Sequence, residues 1–199
     1  SFDELQYHDD DVKQFREELK KGHGAILITS HLGNMELMRS LSEDNSNKTN
    51  REVPVVVIAE VNSSEQFTKT LKEINPKYSL NIVDSATIGP DTICYLMEQI
   101  ENGAVVVIAH ARDKIIKQEF LGKVAPFPYG TFLIPFLIKS PVYYMFGLRS
   151  KTTVFSCKYN IHIEKSQIDY ALKNCNADWN DQATGRKYTG LLQGICRKT

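Results

Sequence analysis

The chain has 199 residues with 24 basic and 24 acidic side chains, and 42% of it is hydrophobic. That supplies the core of one domain and excludes a disordered chain, while zero formal net charge lacks the basic surplus of a nucleic-acid binder. Cys94, Cys157, Cys175 and Cys196 form no C-x-x-C pair, which argues against a zinc site or disulfide framework and suits a reducing cytoplasm.

The sequence opens at Ser1 without a start methionine, and no basic-then-apolar leader follows. It reads as a single domain, 1–199, taken from a longer chain. Residues 9–21 have helical spacing, with Val12, Phe15 and Leu19 on one face. Gly22 and Gly24 punctuate, and AILIT (Ala25–Thr29) suits a central strand buried on both faces. Residues 35–41 look helical and 43–52 form a polar loop. VPVVVIA (53–59) is a second buried strand, before a helix over about 63–74 that Asn75-Pro76 ends.

LNIVD (Leu80–Asp84) is a short strand, followed by a helix over about 89–101 that Asn102-Gly103 closes. AVVVIA (104–109) is a third buried strand, and a charged, glycine-bearing loop leads on to 130. The most apolar stretch, 130–148, carries Lys139, Ser140 and Pro141 near its middle. A spanning helix needs about 20 uninterrupted apolar residues, so a helix, a break and a buried strand fit better. Residues 153–165 alternate like a strand with one wet face, and a last helix spans about 180–197. Strands buried on two faces alternating with helices predict an α/β fold, a mostly parallel or mixed central sheet flanked by helices in three layers.

The strongest local signal is TSHLGNMEL, residues 29–37. His31 lies just past the carboxyl end of the first buried strand, where α/β sheets place ligands. Glu36 follows five residues later, too far round a continuous helix to share a face with His31. Gly33 and the good N-cap Asn34 allow a turn that folds Glu36 back. A base with an orienting carboxylate is what a weakly acidic hydroxyl needs to become a nucleophile. The plain alternative is a carboxylate that complements a helix dipole.

SHLGNMEL resembles the H-x-x-x-x-[D/E] motif of the lysophospholipid acyltransferase superfamily, in the form used by the lipid A late acyltransferase branch. FLGKVAPFPYGTFLIPFLIKSPVY (120–143) is similar to that branch's second signature. Residues 71–109 resemble relatives found beside polyene and glycolipid biosynthesis genes, and the likeness runs in register over about 2–163.

The resemblance implies a glycerolipid acyltransferase-like fold and an O-acyltransferase. The donor would be an acyl carrier protein or coenzyme A thioester and the acceptor a glycolipid or lipid A-like amphiphile. The setting would be peripheral, at the cytoplasmic face of the bacterial inner membrane, with no cofactor and no metal. His31 would be the general base and Glu36 its orienter. Asn34 would shape the turn, Arg112 would meet phosphate or an oxyanion, and Gly130 and Thr131 would bind the acceptor headgroup.

Where family members often carry Asp-Arg, this sequence reads His110-Ala111-Arg112-Asp113. That departure motivates one rival, a binding module without turnover. A thioesterase or esterase using the same pair is another. His110 and Arg39 are weaker site candidates, and His8, His23 and His162 read as surface or strand-edge residues. Phe127, Tyr129, Phe132 and Phe136 would line an acyl groove or, more simply, join the core. The sequence lacks a G-x-S-x-G elbow, a P-loop and a complete G-x-G-x-x-G.

Overall fold

Short runs of β-branched and aliphatic residues form the middle of a seven-stranded sheet. The computed structural model describes residues 5–7, 10–29, 53–60, 80–108, 115–149 and 159–167. Nine strands are described: β1 (Leu5–Tyr7), β2 (Ala25–Thr29), β3 (Val55–Ala59), β4 (Leu80–Asp84), β5 (Val105–Ile108), β6 (Ile115–Phe120), β7 (Lys123–Pro128), β8 (Val142–Arg149) and β9 (Tyr159–Lys165). Three helices accompany them: α1 (Asp10–Lys20), α2 (Pro90–Glu101) and α3 (Gly130–Ile138).

The sheet order is β1-β9-β8-β2-β5-β3-β4. All neighbours are parallel except β8 and β9, so the sheet is mixed but mostly parallel. The α/β class read from the sequence therefore holds.

Side chains alternate faces along each strand, and the core divides accordingly. Ile26, Ile28, Val106, Ile108, Tyr144 and Phe146 pack with Leu96 and Ile100 of α2 and with Phe132, Ile134 and Ile138 of α3. Leu27, Val57, Val107, Tyr143 and Met145 pack on the other face with Val12, Phe15 and Leu19 of α1. The helical stripe at 12, 15 and 19 is thus a docking face, and the Lys165 N–H donates to Asp11 Oδ2 at 2.8 Å to pin α1 against β9. The two parallel crossovers whose helices are described, β4–α2–β5 and β5–α3–β8, move the same way across the sheet. Their helices lie on the same face, as a single crossover hand requires.

Sequence signals also set the helix ends. Gly103 has φ +83, and its N–H donates to Ile100 O at 2.9 Å while Ala104 N donates to Gln99 O at 2.9 Å. This paired closure needs the left-handed conformation that glycine adopts without penalty. The next strand starts at once, against the turn before β2. A Cβ at Gly24 would meet the carbonyl oxygens of Ile100 and Ala104, with Ile100 Cα at 2.8 Å, so only glycine lets the two backbones approach.

The run 130–148 folds as its punctuation predicts. α3 ends at Ile138, Lys139 takes a left-handed φ of 59, and β8 begins after Pro141. One expectation needs correction, and one strand had not been expected at all. The segment before Gly130 is not merely a loop, because 115–128 form the β6–β7 hairpin, a separate two-stranded sheet. β1 had no strand signal, since three residues are too short for a period to register. The strand expected over 53–59 begins at Val55, and that expected over 153–165 is described from Tyr159 onward. The helices expected over 35–41, 63–74 and 180–197 lie outside the described residues.

Candidate functional site

The carboxyl edge of the parallel strands gathers the segments that carry the predicted chemistry. β2 and β5 are parallel neighbours, with Ile28 opposite Ile108, so both end at this edge. β8 flanks β2 on its other side, with Tyr144 opposite Ile28. β4 ends here at Asp84, whose carboxylate accepts from Ala86 N at 3.0 Å and starts a tight turn.

That turn feeds the start of α2. Pro90 occupies the first helical position, where a missing N–H costs nothing, and Thr92 Oγ1 accepts from Gly89 N at 3.3 Å. α3 ends near the opposite edge, where Pro141 O accepts from Ile26 N at 2.9 Å, so its first turn points back towards the carboxyl edge.

His31, Asn34, Glu36 and Arg112 lie outside the described residues, as do His8, Arg39 and His110. Gly130 and Thr131 open α3, both buried, with Thr131 7% exposed. Pro135, one turn on, has no N–H to give Thr131 O, so the helix's own ladder skips that carbonyl. Tyr129 precedes this turn, half-buried, and burial raises its phenol pKa.

Of the aromatic candidates, Phe132 is core at 5% exposure, while Phe127 and Phe136 pack partly buried against the same cluster. Phe127 meets Phe120 edge-on at 6.0 Å between ring centroids. These rings anchor the hairpin and α3 to the α2–α3 face of the sheet.

His23 stands at the other end of β2. It is exposed and shares a 2.8 Å hydrogen bond between Nδ1 and Glu18 Oε2, a partner that the sequence did not announce. Hydrogen bonds from His23, then Lys21, hold the Glu18 carboxyl below its ordinary range. This pair is a helix-end feature, remote from the carboxyl edge. His162 lies half-buried on β9.

No protein-family model matches the chain, and no curated protein matches it. Among the described residues no group of three or more His, Cys, Asp or Glu is placed to hold a metal ion. Among the same residues no helix is long and apolar enough to cross a membrane.

Proposed function

We propose that this protein is an O-acyltransferase with a glycerolipid acyltransferase-like three-layer fold. It moves a fatty acyl group from an acyl carrier protein or coenzyme A thioester onto a hydroxyl of a glycolipid or lipid A-like acceptor. The protein works peripherally, at the cytoplasmic face of a bacterial inner membrane. The observation that carries the reading is the adjacency of β2 and β5. The motif segment with His31 and the segment with Arg112 leave the sheet from neighbouring strand ends.

His31 follows Thr29 by two residues and Arg112 follows Ile108 by four. Covalent reach is then at most about 7 Å and about 14 Å from those strand ends. The buried start of α3, Gly130 and Thr131, points towards the same edge and suits an acceptor headgroup.

In this mechanism His31, oriented by Glu36 within the turn that Asn34 shapes, removes the acceptor hydroxyl proton as that oxygen attacks the thioester carbonyl. Arg112 or backbone N–H groups stabilise the tetrahedral oxyanion. Collapse forms the ester and expels the thiolate, to which His31 returns the proton. No acyl-enzyme intervenes.

The test is transfer from a radiolabelled acyl thioester to lipid. His31→Ala should lower turnover about 100- to 10,000-fold with an unchanged melting curve, and Glu36→Gln should lower it less. Wild-type turnover in His31→Ala would refute the mechanism. Acyl release undiminished without lipid acceptor would make the protein a thioesterase. Thioester or lipid binding with no turnover would make it a binding module.

A further inference from the structure

The β6–β7 hairpin carries more exposed apolar surface than its packing requires. Phe120 and Phe127 fix its inner face to the core. Its outer face and tip expose Ile115 at 63%, Leu121 at 52% and Val124 at 71%. Scattered exposed leucines are ordinary, but Leu121 at the apex and Val124 just past it make the turn end of the hairpin apolar, while Ile115 lies at the other end, opposite Pro128.

The turn sharpens the anomaly. Leu121 and Gly122 are the two turn residues, with φ of 52 and 77. Such a two-residue turn favours Asn-Gly, and a leucine in the left-handed region is strained by about 1–2 kcal/mol. An exposed apolar side chain at a strained position has no folding reason to be there. A Cβ built at Gly122 meets nothing within 4 Å, so the apex faces open space.

The hairpin's edge narrows the occupant. Phe120 and Lys123 close the two-residue turn, so 124, 126 and 128 occupy the alternate, non-hydrogen-bonded pairs of the ladder. Their backbone groups point away from β6, and Pro126 and Pro128 have no N–H to present there. Strand addition along β7, by a peptide or a second copy, is therefore blocked. Lys123 is exposed at the turn and Lys117 is exposed midway along β6, opposite Pro126, and among the described residues neither is in an ion pair; Glu119, opposite Val124, is the hairpin's only acidic residue. The outer edge of β6 keeps its N–H groups, so the choice of occupant rests on charge: an apolar apex beside Lys123, on a hairpin with two lysines and one carboxylate, matches an anionic bilayer.

We propose that the β6–β7 hairpin is a membrane-docking wedge, with Leu121 and Val124 entering the headgroup region of an anionic bilayer and Lys117 and Lys123 meeting lipid phosphates. This deepens the membrane half of the proposed function and rests on it. Binding is measured without turnover, so the acyl-transfer chemistry can fail while the wedge stands, and the reverse.

The experiment is flotation of the chain with vesicles of phosphatidylcholine alone and of phosphatidylcholine with phosphatidylglycerol. Wild type should float with the anionic vesicles. Leu121→Asn with Val124→Thr should weaken that binding at least about tenfold. Asn suits the turn better than Leu, so melting of this variant should not fall, which separates lost docking from lost folding. Lys117→Gln and Lys123→Gln should each cost about fivefold on anionic vesicles and nothing on neutral ones. Wild type that floats with neither vesicle, or a tip variant that binds like wild type, overturns the proposal. So does a tip variant that turns a wild-type dimer into a monomer in light scattering while leaving flotation unchanged, because the patch is then an interface between copies.

Discussion

Tyr143 shows how one side chain can be well packed and still poorly satisfied. It is fully buried on β8 and meets Phe15 of α1 edge-on at 4.9 Å between ring centroids. Among the described residues its hydroxyl has no hydrogen-bond partner. Burial raises its pKa, with the Glu18 and Asp11 carboxylates adding to the shift. A raised phenol pKa favours the neutral form in the fold, so stability is intact below the usual phenol range of about 10 and falls as pH climbs through it. Tyr143→Phe keeps the ring contact and removes a desolvated hydroxyl. It should raise stability by about 1 kcal/mol at neutral pH and blunt the alkaline loss, as thermal melts at several pH values would show. An unchanged or lower melting temperature would mean that the hydroxyl is satisfied in solution.

At the scale of elements, the helix ends show where local sequence and local structure agree. Asn102-Gly103 predicts the end of α2, and Gly103 adopts the left-handed closure that the prediction implies. α3 ends with the same need but a different residue. Lys139 is left-handed, and its N–H donates to Pro135 O at 2.8 Å, in the position usually given to glycine. Lys139→Gly should therefore raise stability by about 0.5–1 kcal/mol, measured by denaturant unfolding, since it relieves a Cβ clash at an exposed site. Besides the short β1, the hairpin is the element that sequence reading missed. Pro126 and Pro128 argue against a strand, yet both sit where the missing N–H would face outward, and a short alternation with mixed charge gave no clear period.

For the whole molecule, stability should follow sheet position. β2 lies between β5 and β8 with both its faces covered by helices, whereas among the described strands β6 and β7 pair only with each other. Native-state hydrogen exchange should find the amides of β2 and β5 slowest, at the global unfolding free energy, and those of the hairpin faster by about 100-fold or more. Equal protection in the hairpin would show that it folds as part of the sheet's cooperative unit. Fast exchange would suit an element whose partner is a bilayer.

The sequence by itself determined the α/β class, the buried central strands, the stripe at Val12, Phe15 and Leu19, and the break at Lys139-Ser140-Pro141. Each depends on periodicity or backbone chemistry confined to a few neighbouring residues. It also supplied the His31–Glu36 motif and Arg112, whose side chains lie outside the described residues. The order of the strands was not legible. Nothing local in AILIT or VVVI says that β5 rather than β3 lies beside β2, because any apolar strand can pair with any other. Tertiary packing decided that, and with it the adjacency of the strand ends that precede His31 and Arg112. It also decided that β9 runs against β8 and that 115–128 fold on themselves, since both depend on contacts between segments that carry no common sequence signal.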